Sequence, residues 1–130
     1  MLTPQTVVLS FSNDPEHLRE RESAIRNGGL GVVSVSSEIA ARFEIEMGRC
    51  GVLLICYTIP PSVSSELTSL FRQSCAGGLI VVVLNEQASS DADIVIPASD
   101  GPDAVVQALH KSRLNCYVKV KYFTTSRSTS

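Results

Sequence analysis

The sequence predicts an α/β fold: a three-layer α/β/α sandwich on a five-stranded parallel sheet. Short continuous apolar runs rich in β-branched residues alternate with segments of helical spacing, which is the rhythm of βαβ units. The 130 residues, 44% of them apolar, suffice for one domain with a continuous core and leave little room for a second.

Thr6-Val7-Val8-Leu9-Ser10-Phe11 reads as a buried first strand. Ser12-Asn13-Asp14-Pro15-Glu16 then supplies capping side chains, a proline suited to a first helical turn and acid near the positive helix end. A helix follows through about Arg26, and Asn27-Gly28-Gly29 stops it, since these residues tolerate the left-handed conformation of a helix exit. Gly31 to Ser36 is the second strand. Ser36 or Ser37 caps a second helix in which Ile39, Phe43 and Met47 recur every four residues as one apolar stripe, the side such a helix turns to a core.

Val52 to Cys56 lacks alternation and so predicts a central strand covered on both faces. Pro60 and Pro61 terminate it, and Ser62 caps a third helix with Val63, Leu67, Leu70 and Phe71 inward, closed by Gly77-Gly78. Leu79 to Leu84 is the fourth strand and Asp93 to Ile96 a short fifth. Only Asn85 to Ala92 joins them, whereas a parallel crossover normally needs about a dozen residues or more, so the fourth helix of the sandwich is shortened or missing. Asp100 caps the last helix, whose apolar face is Val105, Val106 and Leu109. The body is thus residues 1–112. In the basic tail, 113–130, Cys116 to Phe123 alternates weakly enough for an edge strand, and Thr124 to Ser130 has a disordered composition. Right-handed crossovers favour a flavodoxin-like strand order, which puts any functional crevice at the carboxyl ends of the strands.

Charge and composition exclude several classes. All 13 acidic residues lie at or before Asp103 with six basic ones, while Lys111, Arg113, Lys119, Lys121 and Arg127 fall at the end, making the tail a candidate arm for an acidic partner or for the body itself. A solvated tail is preferred over nucleic-acid binding. No apolar stretch reaches the roughly 18 residues that span a bilayer, and the start lacks the basic region of a secretory signal, so a cytoplasmic protein is expected. Cys50, Cys56, Cys75 and Cys116 form no C-x-x-C pair and read as reduced core thiols. No metal-ligand spacing, G-x-S-x-G, G-x-G-x-x-G or Walker sequence occurs, and no cofactor is expected.

The order of elements over about residues 5 to 112 resembles the receiver domain of bacterial two-component response regulators. The resemblance rests on three pieces: the first strand running into Asp14-Pro15-Glu16, the third strand followed by Tyr57-Thr58-Ile59-Pro60 where receivers have a D-x-x-M-P turn, and Ile96-Pro97 before Asp100-Gly101-Pro102-Asp103 where they have K-P and a helix start. Cys56-Tyr57-Thr58-Ile59-Pro60 with Asp100-Gly101-Pro102 is similar to stand-alone degenerate receivers of soil bacteria. Receiver chemistry implies an aspartate acceptor, a carboxylate pair holding Mg²⁺, a hydroxyl and a lysine, because hard anionic ligands hold the metal while charge and hydrogen bonds stabilise the transferred group. Carried over, the acidic pair falls on Ser12 and Asn13, the acceptor on Cys56, the hydroxyl on Leu84 or Asn85 and the lysine on Ile96; every one is replaced. Asp14 survives beside the pocket, where helix capping explains it better than metal binding.

The resemblance therefore implies a pseudo-receiver: a non-enzymatic signalling module that works by contact with a protein partner and is not competent for Mg-dependent aspartyl phosphorylation. The stand-alone length fits an adaptor, with no room for an output domain. Two alternatives stay open, a phosphorelay receiver with an unorthodox acceptor and a Cys56-based thiol sensor. Against the latter, no basic residue but Arg49 lies near Cys56 in sequence and no histidine belongs to the strand ends, so Cys56 is expected to be an inert buried thiol. His17 and His110 read as surface residues near helix ends, and Asn85, Glu86 and Gln87 as ordinary polar loop residues.

Overall fold

A computed structural model describes residues 7–85 and 92–114. Five strands, β1 (Val7–Phe11), β2 (Gly31–Val35), β3 (Val52–Ile55), β4 (Leu79–Leu84) and β5 (Ile94–Pro97), form one sheet in the order β2-β1-β3-β4-β5, parallel throughout. That is the flavodoxin-like order, with its crevice beyond the carboxyl ends of β1 and β3. Four helices accompany the strands among the described residues: α1 (Pro15–Asn27), α2 (Glu38–Met47), α3 (Pro61–Ser74) and α4 (Pro102–Leu114). The expected loss of a helix between β4 and β5 falls largely on residues 86–91, and the expected edge strand on 116–123, both outside the described residues.

Period-two alternation splits the strand residues between two cores. Val8, Val52, Leu54, Val81, Val83, Ile94 and Ile96 pack with Ile25 of α1 and Val105, Ala108 and Leu109 of α4. Leu9, Phe11, Leu53, Ile55, Ile80 and Val82 pack with Ala41 and Ile45 of α2 and Leu67 and Phe71 of α3. β3 is buried along its whole length, as its unbroken apolar run requires. Each fully buried Leu, Ile or Phe contributes on the order of 1.5–3 kcal/mol of transfer free energy, so these layers fix the sheet on which the strand ends sit.

The expected stripe of α2 faces the wrong way. Ile39, Phe43 and Met47 are 81%, 53% and 53% exposed, and the core side is held by Ala41 and Ile45. Two residues of offset turn a helix by about 200°, so two sets with the same four-residue spacing lie on opposite faces. The small Ala40 and Ala41 let α2 approach the sheet closely. Arg42, bonded to Glu38 at 3.1 Å and to Glu66 of α3 at 2.8 Å, links that side of α2 to α3.

Two caps also differ from expectation. α3 begins at Pro61 after Pro60 with no side-chain cap, because a proline at the first position already has helical φ and no N–H to satisfy, so Ser62 lies inside the first turn. Asp100 belongs to a single 3-10 turn (Ala98–Asp100), and Gly101, at φ 81°, separates it from α4. Gly28 ends α1 where the last helix crosses it: a Cβ there would lie 2.6 Å from Val106 Cγ1 and 3.3 Å from His110 Nε2, so His110 is half-buried against α1 and not a free surface residue. No described helix is long and apolar enough to cross a membrane.

Candidate functional site

β1 and β3 are neighbours, so their carboxyl ends deliver Ser12 and Cys56 side by side, and alternation turns both toward the layer that α1 covers. Ser12, fully buried, lies with its Oγ 3.2 Å from Thr58 Oγ1 and accepts a hydrogen bond from the Asp14 amide at 3.0 Å. Asn13 donates twice to Thr58, from its amide to Oγ1 (3.1 Å) and from Nδ2 to the carbonyl oxygen (3.3 Å). The β1–α1 and β3–α3 loops are thereby stitched together through one threonine. Asp14 caps α1, its Oδ1 accepting from the amides of Glu16 (2.9 Å) and His17 (3.4 Å). Leu84 and Asn85 close β4, the first packed against the α2/α3 core and the second exposed. Ile96 is buried in the α1/α4 core. Ser12, Asn13 and Cys56 are thus assembled in one place with Asp14 beside them, and Leu84, Asn85 and Ile96 add only apolar packing and a solvated amide.

Cys56 is 1% exposed, as a buried thiol was expected to be, but it has a polar neighbour. His17, one turn into α1, places Nδ1 3.7 Å from Cys56 Sγ. The His17 ring leans on Tyr57 with centroids 5.5 Å apart and planes at 58°. Arg21, one further turn along the same face, is 8% exposed and has no carboxylate partner among the described residues. Burial alone pushes the thiol up from the ordinary 9.0. Hydrogen bonding by the Ser12 side chain, the Thr58 backbone, the Arg21 guanidinium and the Thr58 side chain outweighs burial and brings it down to about 6. Cys50, just before β3 and equally buried, is pushed the other way, to about 11, by burial and by the Glu44 carboxylate, against a smaller opposing effect of Arg49. Two thiols flanking one strand differ because one end meets hydrogen-bond donors and the other meets apolar surface and a carboxylate.

These contacts overturn two expectations. His17 is half-buried and not a free surface residue, and a histidine does reach the strand ends, beside Cys56. Arg21 was invisible to a search along the neighbouring sequence because it comes from another element, 35 positions away. A signal was present nonetheless: His17, Arg21 and Ile25 recur every four residues, and Ile25 is fully buried, so the phase that buries it also turns Arg21 and His17 inward. The chemistry has a limit too. His17 Nδ1 is the atom nearest both Cys56 (3.7 Å) and Asp14 Oδ2 (3.7 Å), and an acid–base relay would need one partner on each ring nitrogen.

A five-stranded parallel sheet in the order 2-1-3-4-5 is the flavodoxin-like fold, which receiver domains share. By sequence, no family model and no curated protein matches this chain. By structure, it is similar to a response regulator receiver protein from Sinorhizobium medicae (TM-score 0.71, 16% identity, covering 81% of this chain and 91% of that one). It is similar to a chemotaxis response regulator of Vibrio cholerae (TM-score 0.71, 13% identity, 81% and 96% covered). A receiver domain protein from Methanospirillum hungatei matches equally well (TM-score 0.71, 16% identity, 82% and 91% covered). At such identities the likeness is one of fold.

Proposed function

We propose that this chain is a receiver-like module of bacterial signal transduction, cytoplasmic, that acts by contact with a protein partner and is not switched by Mg-dependent aspartyl phosphorylation. The observation that supports this reading is the end of β3, where the residue that the resemblance aligns with a receiver's acceptor is Cys56, with no carboxylate at that position. The neighbouring donor set does not fit a hard divalent cation. Ser12 and Asn13 are neutral and engaged with Thr58, and the one carboxylate, Asp14, is committed to the amides of α1. Among the described residues no group of three or more His, Cys, Asp or Glu side chains could hold a metal ion. Ile96 offers no charge to a phosphoryl group. The outward stripe Ile39, Phe43 and Met47 supports the contact reading, because aligned large apolar side chains left in water commonly mark interaction surfaces.

Incubation of the protein with acetyl phosphate and Mg²⁺, followed by intact mass measurement, tests this. No phosphoryl adduct is expected; a stoichiometric acid-labile one would establish instead the phosphorelay reading with an unorthodox acceptor. The His17 and Arg21 contacts favour a second reading as well, in which the input to the module is made at Cys56 as a working thiol.

A further inference from the structure

We propose that the outward stripe of α2, Ile39, Phe43 and Met47, is the docking site for residues 116–123 of a second copy of this chain, given and received in return, so that two copies pair; this rests on the reading of the chain as a module that acts by protein contact, and names the partner. The stripe leaves roughly 350 Å² of apolar surface in water, more than half of each side chain. Phe43 at its centre is already held in place: the Arg49 guanidinium sits 5.7 Å from the ring centroid and is itself bonded to Glu44 at 3.0 Å, so the anchor is ordered before anything meets it. Around the helix Glu38, Glu44, Glu46 and Glu66 stand against Arg42 and Arg49, an excess of negative charge. Glu46, exposed beside the stripe, has no ion pair among the described residues.

Residues 116–123, outside the described residues, carry the complementary pattern in sequence. Val118, Val120 and Tyr122 alternate with Lys119 and Lys121, and no acidic residue follows Asp103. Laid out in extended form on the helix, those three apolar side chains share one face over about 13 Å, close to the roughly 12 Å that the stripe covers from Ile39 to Met47. The lysines bring positive charge to the acidic flanks of α2, within the roughly 8–10 Å over which charges in salt solution attract. Reach and area select a second copy. α4 packs on the face of the sheet opposite α2, so the sheet and the whole width of α2 lie between its end and the stripe. That path exceeds about 20 Å, whereas residues 115–118 span at most about 14 Å, so the segment meets the stripe of another copy and not its own. Two stripes pressed together would bury only about 700 Å², short of the roughly 1,200 Å² at which specific dimers begin, and the reciprocal exchange of two segments buries about twice as much.

Sedimentation velocity of the full chain tests this, under reducing conditions that keep Cys116 from cross-linking copies. An interface of this size that must order a segment binds weakly, so monomer is expected at about 2 µM and mostly dimer at about 200 µM. The dimer fraction should fall as NaCl is raised from about 0.05 to 0.5 M. Phe43→Ser and Val120→Asp should each weaken pairing by about tenfold or more. An equimolar mixture of the two variants should pair better than either alone, because the intact segment of one meets the intact stripe of the other. Circular dichroism checks that each variant folds; should Val120→Asp fail to, the double variant Lys119→Glu, Lys121→Glu takes its place and should weaken pairing likewise. Pairing that survives Phe43→Ser or Val120→Asp at full strength would overturn the exchange, and so would a chain that stays monomeric at the higher concentration. Neither result touches the contact reading, which fails instead if acetyl phosphate yields a stoichiometric adduct.

Discussion

Replacing Cys56 by serine removes an ionisable group while keeping a hydrogen-bonding atom in place, which makes its effect on stability a function of pH. The thiol titrates near 6 in the fold against an ordinary 9.0 in the unfolded chain, a depressed value. Its ionisation therefore stabilises the folded state fully above about pH 9, and that contribution is lost as pH falls through 6. The difference between the two values corresponds to roughly 4 kcal/mol at the alkaline limit. At pH 7 about 1.4 kcal/mol of it is present, and at pH 8.5 about 3 kcal/mol. Cys50, whose folded value lies near 11, enters only above the working window. Urea unfolding followed by far-ultraviolet circular dichroism at pH 5, 7 and 8.5 should show the wild type gaining on Cys56→Ser by these amounts, with His17→Gln as a common background to remove the imidazole. A gap between the two proteins that stays constant from pH 5 to 8.5 would refute the thiolate and with it the role given to Arg21.

Three further outcomes follow from packing and hydrogen bonding. Phe43→Ser on the outward face of α2 should change stability by no more than about 0.5 kcal/mol, while Ile45→Ala on the inward face should lose roughly 2–5 kcal/mol by urea unfolding. Asp14→Ala should cost about 1 kcal/mol by removing the cap that accepts from Glu16 and His17, and hydrogen exchange in the first turn of α1 should rise with it. Gly78→Ala places a Cβ 2.5 Å from the buried Phe71 ring and 2.9 Å from Cys75 Sγ, so a loss of about 1–3 kcal/mol is expected in thermal or urea denaturation.

Much of the fold was legible because its elements are set by local physics. Unbroken apolar runs place β3 and β4, and a run broken only by Ser10 places β1, since a strand covered on both faces has no polar side to show. Asp14 before Pro15 marks the start of α1, and the glycines after Asn27 and Met47 mark two helix exits, because caps and left-handed residues act over a few neighbouring positions. Ser12, Asn13 and Cys56 could likewise be placed at strand ends by counting, and the structure brings those three together. Spacing gave the period of α2 but not its rotation: Ile39, Phe43 and Met47 repeat as regularly as Ala41 and Ile45, and it is the second pair that packs into the core shared with the sheet and α3.

The order of strands and helices, and the neutral residues Ser12, Asn13, Cys56 and Ile96 at the strand ends, could be read from the chain alone, since both are properties of residues at countable positions. Tertiary structure decided the character of Cys56. Its thiol is governed by Ser12 from β1, Thr58 from the β3–α3 loop and Arg21 from α1, and by His17 resting on it. Hydrogen bonding and charge act over a few ångströms of space whatever the separation along the chain, so a thiol that looks isolated in sequence is surrounded by donors once β1, β3 and α1 are packed.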